Sequence, residues 1–344
     1  MTEQKTEEPT APEGVEEAKA RAVTHVAPSP HLSDQAITTK GMMRDVVIGL
    51  IPVVAMSIYL FRWYAVLQIG LCVIACMGFE ALFTRMRGKR ITLNDWSAAV
   101  TGVILGLSLP WSAPWHIPVI ASLIAIGLGK TVFGGLGFNL FNPAMVGRAF
   151  VMLSFARELG ASAYATADAA LPLLTQATPL TAAKAHAAEL PALFPLFIGN
   201  HNGSLGESSI LAVLVGGLYI CWRRSASWEI PAGALLAATV LASLAKLAGL
   251  TTVGPLYHLT GGALVFGAFF IATDPVSSPL SPRGKFVFGI GFGTLTLLIR
   301  VFSGYPEGVM FAVLLMNATV PLINQWTIPQ PLGLSPKAPK VEPV

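Results

Sequence analysis

Apolar residues gather in about ten runs along this chain, near positions 46–61, 65–83, 96–109, 117–133, 144–157, 209–222, 230–249, 262–273, 286–301 and 308–326. A helix needs about 20 apolar residues to cross a bilayer, and several of these runs are shorter. Short runs broken by Gly or Pro are half-helices or helices buried in protein, where freed backbone groups can line a cavity or hold a ligand. The runs that begin at 96, 144 and 262 fit that description best. The pattern predicts an all-α, polytopic membrane protein with about ten transmembrane helices, some of them short or broken.

Two of the short runs end alike. The third closes on Pro110, Ser112 and Pro114, and the eighth on Pro275, Ser277 and Pro279. With five spans in each half, equivalent elements must point in opposite directions, which predicts two inverted five-helix repeats. The boundaries that follow are a flexible N-terminal extension over 1–40 and a first membrane half over 41–157. A polar loop over 158–208 then leads to a second membrane half over 209–328 and a tail over 329–344.

Composition supports this reading: 53% of the 344 residues are hydrophobic and 12% are charged. Soluble domains carry about a quarter charged residues. A net charge of +4 is too small to imply a nucleic-acid partner, so lipid is the surrounding that the chain is built for. The N-terminal residues lack the apolar core of a signal peptide. Basic residues set orientation: "TRMRGKR" (84–90), Arg223 with Arg224, and Arg283 with Lys285 all follow even-numbered spans. The positive-inside rule puts those loops and both termini in the cytoplasm, and the 158–208 loop outside. Cys72 and Cys76 stand one helical turn apart with no further ligand near, so they read as small packing residues.

Three segments are candidates for chemistry. In "GKTVFGGLGFNLFNPAMVGRAF", Asn142 and Pro143 break the chain and Arg148 begins the next span. No strand precedes it and no Gly-Lys-Ser/Thr ends it, which excludes a nucleotide-binding loop. A close-packed helix joint and a re-entrant turn that faces a ligand both remain open, and a charge at the depth of Arg148 requires a partner. Asp274, in "IATDPVSSPLSPRGK", can cap backbone donors, hold a cation or accept a hydrogen bond from a cofactor. The third segment, "LLTQATPLTAAK" (173–184), is rich in threonine and nearly free of charge; alone, it reads as a polar cap before an Ala-rich helix over 181–188.

Several long motifs carry a resemblance. "GGLGFNLFNPAMVGRAF", "IATDPVSSPLSPRGK" and "SGYPEGVMFAVLLMNATVPLIN" resemble the family of the D subunit of Rnf electron-transport complexes and, more distantly, of the B subunit of sodium-pumping NADH:quinone oxidoreductases. The likeness runs from about residue 41 to 328. In that family a threonine in a Ser/Thr-x-Ala-Thr context carries FMN as a phosphoester. The matching residues here are Thr175, Gln176, Ala177 and Thr178, so the resemblance implies Thr178 as the attachment site. Thr166, in "YATAD", is the competing hydroxyl in the same loop, but Ala163 stands three residues before it. Tyr305 and Glu307, in "SGYPEG", fall on the same predicted side as Thr178, where Glu307 could accept a flavin N–H.

The resemblance implies a membrane subunit, in the inner membrane of a bacterial cell, of an ion-translocating ferredoxin:NAD oxidoreductase. It would relay electrons through covalent FMN, with riboflavin as a second, non-covalent flavin. Its partners would be the other subunits, including a flavoprotein on the outer side, and a flavin transferase for maturation. No catalytic acid, base or nucleophile is evident, and electron relay needs none. The rival readings are a channel of the urea or ammonium type, because broken helices in inverted repeats also serve permeation, and an inert scaffold for redox partners.

Overall fold

A computed structural model describes residues 38–89, 93–159, 178–184, 192–199, 201–303 and 307–328. The chain divides into two units between Thr38 and Thr39, and the described residues from Thr39 onward belong to the second. In the second unit, α1 (Thr39–Phe61) and α2 (Trp63–Met86) are followed by α3 (Ser97–Ser108), α4 (His116–Ile126) and α5 (Pro143–Ser154). Four short helices come next: α6 (Ala156–Leu159), α7 (Pro179–Lys184), α8 (Leu193–Ile198) and a 3-10 turn, Leu205–Glu207. The chain then forms α9 (Ile210–Trp222), α10 (Glu229–Leu247), α11 (Pro255–Thr260), α12 (Leu264–Phe266), α13 (Pro282–Phe302) and α14 (Val309–Thr327). Among the described residues there is no β-strand; an isolated bridge joins Pro110 to Ser204.

Every apolar run of the sequence contains a helix. Five helices are long and apolar enough to cross a membrane: α1, α2, α10, α13 and α14. Shorter apolar helices stand at 97–108, 116–131, 143–154 and 210–222. The run at 262–273 is the most broken, because α12 covers three residues and continues as a π-helical turn, Gly267–Ile271. A second π turn, Gly127–Thr131, continues α4. Such turns widen the helix and release backbone groups, and they recur at functional positions.

The surface is that of a chain immersed in lipid. Large apolar side chains such as Ile74, Leu153, Leu218 and Leu247 are exposed, where a soluble surface would be polar. Trp63, Trp115, Trp222, Trp228 and Trp326 are exposed at or beside helix ends, the level of a headgroup boundary. Lipid gives helices no hydrophobic reason to associate, so close packing of small residues must hold the bundle. Gly49 of α1 and Gly216 of α9 meet backbone to backbone, and a Cβ on Gly216 would overlap the Gly49 carbonyl. Gly289 and Gly293 of α13 lie in the same way on the carbonyls of Ile230 and Ala234 in α10. Cys72 and Cys76 are fully buried in α2, and the Ser122 hydroxyl reaches the Cys72 carbonyl at 3.4 Å.

The segment before α9 folds back into the bundle. Leu205 is fully buried; its carbonyl accepts the Ser57 hydroxyl at 2.6 Å and its N–H reaches the Leu109 carbonyl at 3.4 Å. This return carries Ser204 and Glu207 to the end of the bundle where α1 and α3 finish.

Candidate functional site

Two clusters of buried charge lie at opposite ends of the helices. The first gathers around Arg300, in the last turn of α13. Its Nη1 donates to the His258 carbonyl at 2.5 Å, while Nε and Nη2 have no hydrogen-bond partner among the described residues. Glu307, just before α14, pairs through Oε2 with Arg148 Nη2 at 3.1 Å and accepts the Ala263 N–H on Oε1 at 3.2 Å. The turn before Ala263 demands glycine twice over. Gly262 has φ +74°, and a Cβ there would stand 2.8 Å from Glu307 Oε1 and 2.9 Å from Arg300 Nη2.

Glu207 completes this cluster, fully buried and hydrogen-bonded to Ser204 and Glu307. Burial first, then the Glu307 carboxylate, push its carboxyl well above the usual carboxylate range. Glu307 moves the other way: against its own burial, the hydrogen bond with Glu207 and the Arg148 and Arg300 charges hold its carboxyl below the usual range.

Beside these groups is a cavity of about 280 Å³, lined by Leu180, Lys184, Val253, His258, Arg300 and Ser303. Helix α7 supplies one wall. Thr178 is its N-cap: its hydroxyl lies 2.7 Å from the Thr181 hydroxyl and accepts the Thr181 N–H at 3.3 Å. The Tyr257 hydroxyl anchors the helix by donating to the Pro179 carbonyl at 3.3 Å. Lys184 Nζ spans to the Ser303 carbonyl at 2.6 Å, and burial with the nearby Arg300 guanidinium lowers its pKa. Burial and Arg300 also push the His258 imidazole down to about 4, so it is neutral at pH 7. His258 Nδ1, like the two Arg300 nitrogens, has no partner among the described residues.

The second cluster lies where α2 ends and α3 begins. Lys130, on the π turn after α4 and 3% exposed, reaches both Glu80 oxygens, at 2.6 and 2.7 Å, and the Ser97 hydroxyl at 2.6 Å. Asp95 fixes Ser97 by accepting its N–H at 3.0 Å and its hydroxyl at 2.8 Å. Asn142 caps α5 by accepting from Ala144 and Met145, and its Nδ2 donates to the Ile271 carbonyl at 3.2 Å. The Asn142 N–H in turn donates to Asn317 Oδ1 at 3.1 Å, and Asn317 Nδ2 to the Ser277 carbonyl at 2.8 Å. Asp274 caps its own turn through the Val276 N–H and the Ser277 hydroxyl, at 3.2 and 2.9 Å; burial raises its pKa. A cavity of about 70 Å³ separates Lys130 and Asn142 from Asp274.

The structure therefore sorts the residues singled out by sequence. Asn142 and Asp274 share the Lys130 end, while α5 carries Arg148 away from Asn142 to Glu307. The Glu307 oxygens, expected to accept a flavin N–H, are engaged by Arg148, Ala263 and Glu207. Thr175, Ala177 and Tyr305 lie outside the described residues. Lys130, Glu80, Arg300, Glu207, His258 and Lys184 were not singled out. A lone ionisable residue in an apolar run is the signal that would have found Glu80, Lys130 and Arg300.

A helical bundle with an apolar exterior and buried charged side chains such as Glu80, Lys130, Arg148 and Arg300 defines a multi-pass membrane protein with polar sites inside the protein. The comparison with known proteins is specific. The chain belongs to the NQR2, RnfD, RnfE family, whose model matches residues 25–333. It is 40% identical to the D subunit of the Na(+)-translocating ferredoxin:NAD(+) oxidoreductase complex of Acetobacterium woodii, over 88% of this chain and 93% of that one. It is 36% identical to the D subunit of the proton-translocating ferredoxin:NAD(+) oxidoreductase complex of Clostridium ljungdahlii, over 90% and 96%. The D subunit of the ion-translocating oxidoreductase complex of Stutzerimonas stutzeri is 40% identical, over 85% and 91%.

Proposed function

We propose that the chain is the D-type membrane subunit of an ion-translocating ferredoxin:NAD oxidoreductase complex, and that it relays electrons through FMN joined to Thr178. Its relatives' names support the complex; the surroundings of Thr178 support the attachment. The observation that carries the reading is the position of Thr178 at the head of α7, the helix whose Leu180 and Lys184 line the 280 Å³ cavity. Phosphoester formation needs a hydroxyl that a transferase can reach, and the half-buried Thr178 presents one. Cavities of about 150 Å³ already admit a benzene ring, so this one has room for part of the cofactor beside its attachment point.

Bound FMN would accept and release single electrons. The chain's own residues would place it: α7 fixes the attachment point, and Leu180 and Val253 offer apolar wall. The ion pair of Arg148 with Glu307 holds the turn before α14 against Ala263.

The basic loops follow the Lys130 end of the bundle, at Arg87, Arg223 and Lys285. We infer that this end is cytoplasmic and that the Arg300 end faces outward, with ten spans in two inverted repeats across the inner membrane. The outward end is then where the flavin meets a flavoprotein partner. The test is the mass of the purified chain: wild type should carry the added mass of FMN, and Thr178→Ala should lose it while Thr166→Ala keeps it.

A further inference from the structure

The cavity beside α7 holds more donors than acceptors. Arg148 pairs with Glu307, and Glu307 is also hydrogen-bonded to Glu207. Arg300 is 2% exposed, and one of its three nitrogens is hydrogen-bonded, to a backbone carbonyl. Lys184 and the Nδ1 side of His258 border the same space. A buried guanidinium with two unmatched nitrogens is costly unless an acceptor completes it. A planar fork of N–H groups matches the oxygens of a carboxylate or a phosphate. The cavity also adjoins the helix that Thr178 caps, two residues from the Leu180 wall.

We propose that Arg300, assisted by Lys184 and His258, forms the anion seat for the phosphate that joins the flavin to Thr178. The inference rests on covalent attachment at Thr178 and adds what holds the linkage. A phosphate esterified to both threonine and the ribityl chain carries one negative charge, which suits the Arg300 guanidinium, a buried cation with no direct ion pair among the described residues. Held there, the linkage would be fixed at both the hydroxyl and the phosphate oxygens, so the ring would have a defined position for electron transfer. Gly262 leaves room for the guanidinium, since a Cβ there would stand 2.9 Å from Arg300 Nη2. A phospholipid headgroup also contains a singly charged phosphodiester, and the experiment separates the two sources.

The test uses the full chain in its complex, in a phosphorus-free detergent, as wild type, Arg300→Lys and Arg300→Gln. Intact mass should show FMN on all three, since attachment requires only the Thr178 hydroxyl. The ³¹P resonance of the bound flavin should move in both variants; an unmoved resonance in Arg300→Lys, the variant that keeps the charge and loses the fork, overturns the seat. A second arm uses Thr178→Ala, in which the seat is vacant, with inorganic phosphate as probe. Phosphate should raise its melting temperature, and adding Arg300→Lys should weaken that binding about tenfold or more. Phosphate binding that ignores Arg300 contradicts the proposal. Wild type without FMN mass would refute the Thr178 reading alone; the phosphate arm would still judge the seat, and a phospholipid found in wild type but lost from Arg300→Lys would assign the diester to lipid.

Discussion

The two buried clusters differ in how completely they are satisfied. At the Lys130 end, the ammonium has three oxygen partners within 2.7 Å, and Asp95, Asn142 and Asp274 each cap a turn. At the Arg300 end, an equally buried cation has two nitrogens, and a neighbouring imidazole one, without hydrogen-bond partners among the described residues. The first arrangement is closed, a means of tying α2, α3 and the π turn together. The second is left open on one side, toward a cavity of about 280 Å³. A satisfied buried charge explains itself by the fold it holds; an unsatisfied one points to something that completes it.

The contrast predicts a graded series. Lys130→Met should have the largest effect on stability, about 3–5 kcal/mol, because it leaves the Glu80 carboxylate buried and alone. Pairing it with Glu80→Leu should restore most of the loss, which thermal unfolding of the two variants in detergent would show. If the double variant were no better than the single, the cluster would not be a closed pair. Glu307→Ala should cost less, about 2 kcal/mol, since the Glu207 carboxyl beside it can supply part of the lost charge. The same measurement should show it less damaging than Lys130→Met.

Gly262→Ala comes next, at about 1–3 kcal/mol, from a positive φ together with contact on Arg300 Nη2. Gly254→Ala is its control, since that position has ordinary φ and its nearest neighbour is the flexible end of Lys246, on α10, at 3.5 Å. The last test concerns pH. His258 titrates at about 4 in the folded chain and near 6.5 when unfolded. Between those values the unfolded chain binds more protons, so stability is full above about 6.5 and falls as pH drops toward 4. His258→Asn should flatten that acid limb in a melting-temperature profile; an unchanged slope would remove His258 from it.

Much of the fold was legible because lipid imposes a simple rule: ten apolar runs, each now holding a helix. The breaks were legible too, since Asn142–Pro143 and Asp274–Pro275 leave the backbone few alternatives. What the sequence could not give was partnership. Arg148 lies six residues from Asn142, yet a helix rises about 1.5 Å per residue, enough to carry the guanidinium to a carboxylate 159 positions away. Glu207 sits in a polar loop and reads as solvated until Leu205 is seen to pull that loop into the bundle. The role of Thr178 shows the limit most clearly. Its capping geometry agrees with the plain helix-cap reading, and the proposal that it is an attachment site comes from the family motif and the cavity beside it.

The central claim is that the open cluster serves a flavin on Thr178, and intact-mass measurement of the full chain tests it most directly. Loss of the cap in Thr178→Ala should cost about 1 kcal/mol, so the variant should fold and assemble. Wild type should carry the added mass of FMN, and Thr178→Ala should run at the mass of the bare polypeptide. FMN mass persisting on Thr178→Ala would contradict the account.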